Sequence, residues 1–147
     1  MKTFIKNRKG QRICVLVEEA KNTKGLAFVM HGLGANKETA GTMTMAEAFR
    51  NNNYTVVRFD TTNTFGESDG KYEDATLTNY YEDLEDVIAW AGSQSWYIEP
   101  FVLAGSSFGG FCVAYYTENY PAKVKSIGTD FNNDIRTIKI RIIPKSW

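Results

Sequence analysis

The chain has 147 residues, a single-domain length, and its 43% hydrophobic and 14% aromatic content suits a packed core rather than disorder. Lys plus Arg and Asp plus Glu each total 17, so no net field draws the chain to nucleic acid or to an anionic membrane. Arg136, Lys139, Arg141 and Lys145 of the tail do not by themselves make a basic, aromatic-lined surface, so no nucleic-acid partner is expected.

Cys14 and Cys112 lie far apart without CxxC spacing and read as buried thiols of a reducing compartment ahead of one long-range disulfide. The basic N-terminus has no apolar run behind it, and no stretch reaches the roughly 18 apolar residues of a membrane span. A cytoplasmic protein is the expectation.

In chain order, Thr3 to Lys6 and Arg12 to Glu18 are β-prone runs around Asn7-Arg8-Lys9-Gly10, a hairpin signal. Leu26 to Met30 is an unbroken apolar run, as in a parallel strand buried on both faces. A weaker helix spans about Thr42 to Arg50, and Asn51-Asn52-Asn53 breaks it. Tyr54 to Phe59 reads as the next strand, delivering Asp60 to a loop with Gly66 and Gly70.

The clearest helix runs from Thr76 to Ala91, with Leu77, Tyr81, Leu84, Ile88 and Ala91 on its apolar face. Glu82, Asp83, Glu85 and Asp86 read as its solvated face, since no His or Cys joins them at ligand spacing, and Gly92 as a left-handed stop. Phe101 to Ala104 is a third buried strand, followed by a helix from Phe108 to Glu118 and a strand beginning at Val124 to Ile127. Strands alternating with helices predict an α/β protein: a mainly parallel sheet with flanking helices and an N-terminal β-hairpin.

Gly105-x-Ser107-x-Gly109 carries the chemistry. The string alone is weak, arising by chance in about one chain in twenty of this length. Its context is stronger, because the serine falls between a buried strand and a helix, where a sharp strained turn lifts its hydroxyl above the sheet. A Gly-rich turn that only caps a helix is the alternative. Against it stands His31-Gly32-Leu33-Gly34 at the end of the earlier strand, a loop able to aim a backbone N–H at a carbonyl bound over Ser107. The N–H of Phe108 is the natural second donor.

Met30 to Gly34, Arg58-x-Asp60, Gly66-x-Ser68-x-Gly70 and Gly-Ser-Ser-Phe-Gly-Gly together resemble the α/β-hydrolase family. The branch most resembled holds serine-aminopeptidase-like hydrolases, monoacylglycerol lipases and cinnamoyl or feruloyl esterases. The resemblance implies attack by Ser107 on an ester or amide carbonyl, and an oxyanion hole from the amides of Leu33 and Phe108. It implies neither cofactor nor metal, and a small-molecule ester or amide as substrate.

The resemblance covers about residues 10 to 128. Residues 1–128 are expected to form a partial α/β-hydrolase domain lacking the last strands, with 129–147 an atypical tail in which Ile138, Ile140 and Ile142 alternate with Lys139 and Arg141. A frameshift or early stop is the expected origin of that tail. The family order is Ser, then acid, then His. His31 is the only histidine and precedes Ser107; the resemblance gives it a structural role, and Asp130 has no later histidine to orient. Weak or absent activity is therefore expected of this chain alone, either as a hydrolase completed by a C-terminal chain or as a non-catalytic remnant or binding module. An apolar patch beside the Thr42–Arg50 helix and an open strand edge are expected to favour self-association.

Overall fold

The computed structural model describes residues 1–130 and 140–142. In chain order it contains β1 (Lys2–Lys6), β2 (Arg12–Glu18), β3 (Leu26–Met30), α1 (Ala40–Asn51), β4 (Thr55–Phe59), a 3₁₀ turn (Tyr72–Asp74) and α2 (Leu77–Ala91). β5 (Phe101–Ser106), α3 (Phe108–Asn119), β6 (Val124–Asp130) and β7 (Ile140–Ile142) complete it.

The continuous apolar runs become the centre of the sheet. β3 and β4 are buried at every position, because parallel strands covered by helices on both faces have no side left for water. The strand order is β1-β2-β4-β3-β5-β6-β7. The inner strands β4, β3, β5 and β6 run parallel. Antiparallel strands close both sides: the β1–β2 hairpin against β4, and β7 against β6. The expected strand in the tail is thus β7, while Ile138 lies outside the described residues.

Alternate residues sort into two cores. Phe28, Met30, Phe59 and Leu103 face α2 and α3 together with Tyr80, Leu84 and Val113. Ala27, Val29, Val56 and Ala104 face α1, meeting Met45, Ala46 and Phe49. In register with Val102 and Ala104, β6 contributes Ser126 and Gly128.

Three expectations about α2 need correction. Its core face holds Leu84, Ile88 and Ala91 as expected, together with Tyr80 and Val87, which were not expected, whereas Leu77 and Tyr81 pack against that core only partly covered. Asp83 is not solvated: it is buried and accepts hydrogen bonds from Asn7 and Thr62. Glu82, Glu85 and Asp86 do remain toward solvent and pair with Arg8. Gly92 has φ −58 and ψ −20, right-handed dihedrals, so its freedom at positive φ is not used. The N-terminus of α2 is fixed by a reciprocal capping box between Thr76 and Asn79.

Candidate active site

The site forms where β3, β4 and β5 end together. β5 runs into α3 with no intervening loop, and Ser107 occupies the junction at φ 52 and ψ −122. That is a strained conformation for a residue with a Cβ, costing about 1–3 kcal/mol. Ser107 is exposed, and its side chain makes no cap bond to α3, so the hydroxyl is not spent on holding the helix.

Small neighbours make this turn feasible. A Cβ on Gly105 would stand 2.5 Å from the Gly109 carbonyl carbon, and one on Gly109 would stand 2.5 Å from the His31 carbonyl oxygen. A Cβ on Gly32 would lie 3.0 Å from the Ser107 Cβ. β3, β5 and α3 therefore meet main chain to main chain, and the His31–Gly34 loop lies directly against the serine.

His31 is fully buried with both ring nitrogens engaged. Nδ1–H donates to the Gly32 carbonyl at 2.7 Å, and Nε2 accepts the Thr61 N–H at 3.0 Å. Burial holds its pKa below the usual histidine value, so the neutral ring persists. Ala35 N–H donates to the same Gly32 carbonyl at 3.1 Å. In a planar trans peptide C=O and N–H point opposite ways, so fixing the Gly32 carbonyl also fixes the Leu33 N–H on its other side. Gly34 follows at φ +73. Tyr80 stands between the two motifs, edge-on to His31 and to Phe108, each 5.5 Å between ring centroids.

Lys37, which the sequence alone left unremarked, anchors the far end of this loop. Its side chain is buried, with Nζ donating to Asp60 Oδ2 at 2.9 Å and Glu67 Oε2 at 2.6 Å. Its backbone N–H donates to Asp60 Oδ1 at 2.7 Å, and its carbonyl accepts from Arg58 Nη1 at 2.7 Å. Burial works against the charged amine, but hydrogen bonds to Glu67 and Asp60 outweigh it and hold the pKa above the usual lysine range. Glu67, bonded to Lys2 and Lys37, is pulled down to about 2. Asp60 also accepts the Glu67 N–H at 2.8 Å, and no Cβ could fit on Gly66, 2.5 Å from that carboxylate. Cys14, Asp60 and Glu67 could together suggest a metal site, but the Lys37 ammonium already sits between the two carboxylates.

Asp83 braces the same region from α2. Thr62 donates to Asp83 Oδ2 through both N–H and hydroxyl, each at 2.7 Å, while Asn79 donates to the Thr62 carbonyl. Burial pushes the Asp83 carboxyl up, against the lowering effect of these bonds. At the opposite end of the sheet, a groove lined by Lys24, Tyr54, Ile98, Pro100 and Lys125 lies away from Ser107. Cys14 and Cys112 are both free and buried, their thiols pushed up by burial to about 11 and about 12.

No helix among the described residues is long and apolar enough to cross a membrane. No curated protein matches the sequence. Among solved structures, the ferulic-acid complex of Est1E from Butyrivibrio proteoclasticus is similar, with a TM-score of 0.77 and 23% identity over 85% of this chain and 50% of that one. An alpha-beta serine hydrolase homologue from Coxiella burnetii gives a TM-score of 0.74 and 23% identity over 88% of this chain and 61% of that one. The alpha/beta hydrolase GrgF from Penicillium sp. sh18 gives 0.75 and 20%, over 88% of this chain and 44% of that one. The chain thus spans about half the length of the first of these structures and contains only part of their fold. The sequence profile of the serine aminopeptidase family, S33, matches residues 21–128, and the chain belongs to that family of α/β-hydrolases.

Proposed function

We propose that this chain carries the nucleophile and oxyanion loop of a serine hydrolase that cleaves carboxylic ester or amide bonds through an acyl-enzyme. One observation carries the reading: Ser107 is exposed and strained at a strand-to-helix turn, its hydroxyl making no cap bond to α3, with the His31–Gly34 loop packed against it. Ser107 Oγ attacks the carbonyl carbon and loses its proton to a base. The tetrahedral oxyanion takes hydrogen bonds from the N–H groups of Leu33 and Phe108, each worth about 3 kcal/mol. Collapse expels the alcohol or amine, and water then releases the acid.

The base is not His31, whose two ring nitrogens are held by the Gly32 carbonyl and the Thr61 N–H. The sequence holds no other histidine, so these residues on their own lack a histidine base. Without such a base, only the modest acceleration of an oxyanion hole and binding is expected, about 10³ to 10⁴ over water. The locked His31 equally favours a second reading, a binding module that uses the site without turnover. The free buried thiols support a reducing, cytoplasmic location.

Labelling with a fluorophosphonate probe, run beside a short-chain p-nitrophenyl ester assay, tests the first reading. Labelling and slow hydrolysis that vanish in Ser107→Ala are expected. Equal labelling of both proteins means that Ser107 is not activated, and leaves the binding module.

A further inference from the structure

A groove of about 290 Å³ opens where β3, β5 and β6 begin, at the end of the sheet opposite Ser107. From Val102 to Ser107 the chain rises about 17 Å, so the groove is separate from the site already described. Lys24, Tyr54, Ile98, Pro100, Val102 and Lys125 line it, two lysines around an otherwise apolar and aromatic floor.

Close packing fixes the floor. A Cβ on Gly25 would stand 2.8 Å from Tyr54 Cε1, so the ring lies directly on the Gly25 main chain, and Phe49 meets the same ring edge-on at 5.7 Å. The Lys24 N–H donates to the Asn53 carbonyl at 2.8 Å and the Thr55 N–H to the Gly25 carbonyl at 3.0 Å, holding these two segments side by side. Lys125 owes its place to an irregularity of the sheet. As β5 advances from Phe101 to Val102, β6 advances from Val124 to Ser126, so Lys125 is the extra residue of a bulge. A bulge re-aims one side chain out of the alternation of its strand. Val124 and Ser126 are buried on either side of it, while Lys125 is exposed at the groove.

The charges around the groove are unbalanced. Glu99, its one acid, accepts from the Tyr97 hydroxyl at 2.7 Å and lies 3.8 Å from Lys123 Nζ. Lys24 and Lys125 pair with no carboxylate among the described residues. We infer that the groove binds a small amphipathic carboxylate, its head on Lys24 and Lys125 and its apolar body against Tyr54, Ile98 and Pro100. The volume lies at the lower end of ligand pockets, about 300–1,000 Å³, and suits a body of about eight carbons. The assignment is independent of the hydrolase reading, because groove and serine occupy opposite ends of the sheet.

Titration of the ¹⁵N-labelled full chain with octanoate, octanamide and acetate tests the assignment without requiring turnover. Octanoate should move the amide resonances of Gly25, Tyr54, Val102 and Lys125, with a Kd on the order of millimolar. Octanamide, which keeps the body and lacks the charge, should bind about threefold more weakly or worse, and acetate should not saturate. Lys24→Gln and Lys125→Gln, both at exposed positions, should each weaken octanoate about threefold and leave octanamide unchanged. Ile98→Ala should weaken both long probes, and Ser107→Ala neither. No shifts, shifts at Leu33 and Gly34 instead, equal binding of octanamide, or indifference to both lysine variants overturns the carboxylate site. Acetate binding as tightly as octanoate also overturns it, leaving a bare anion contact. So does a change at these amides with protein concentration alone, which assigns the groove to contact between copies.

Discussion

Gly109, in the first turn of α3, packs against the end of β3 so closely that a Cβ would stand 2.5 Å from the His31 carbonyl oxygen and 2.8 Å from that of Met30. Backbone atoms cannot give way as a flexible side chain does. Gly109→Ala must therefore push α3 off the sheet, at a cost of about 3 kcal/mol or more. Urea unfolding measures it, and a variant as stable as the parent would show that the approach is looser than described.

Lys37 and Asp60 pair in the interior, with side chains 2% and 0% exposed. Lys37→Met leaves the Asp60 charge unpaired and should destabilise by about 3–5 kcal/mol. Adding Asp60→Asn should recover part of that loss by removing the stranded charge. If the double variant is as unstable as the sum of the two single ones, the pair is not coupled.

Ser107 offers a test of stored strain. Glycine accepts φ 52 and ψ −122 freely, so Ser107→Gly should stabilise the fold by about 1 kcal/mol, whereas Ser107→Ala keeps the strained backbone and gains nothing comparable. Both lose any labelling by a fluorophosphonate. Equal unfolding midpoints for the two variants would count against strain at this turn.

His31 sets an acid limit. Its folded pKa lies below the usual 6.5, so the unfolded chain takes up a proton first as pH falls. Stability from this group is fully present above pH 6.5 and declines below it, by up to about 1.4 kcal/mol per pH unit, until the folded form is also protonated. Glu67, depressed to about 2, adds its own loss only below about pH 4.5. Because the chain has one histidine, comparison with His31→Gln isolates the effect: the variant is less stable at pH 7.5 but should lack the slope between pH 6.5 and 5. An unchanged slope excludes His31 as its source.

What was legible in the sequence follows from how each element is buried. β3 is legible to the residue because a strand covered on both faces must be apolar throughout. The elbow and its glycines are legible because backbone contact excludes every larger residue. Asp83 was not, since in a run of four acids nothing local reveals that Asn7 and Thr62 arrive to satisfy one of them. Tyr80 and Tyr81 are adjacent, and a shift of one residue turns a helix by about 100°, so the periodicity alone did not separate them. Lys37 reads as a surface residue until the carboxylates of Asp60 and Glu67 are brought around it; the polar residues at the apolar end of β4, Arg58 and Asp60, were the one available hint.

The close approaches of Gly32, Gly105 and Gly109 also divide the site by material. The turn that bears Ser107 and the loop beside it are shaped by main chain, while the exposed rings of Phe65 and Tyr72 belong to a different segment of the chain. Such a division ties the position of Ser107 to main-chain approaches rather than to side-chain packing, so a side chain placed at any of the three glycines would displace the serine itself.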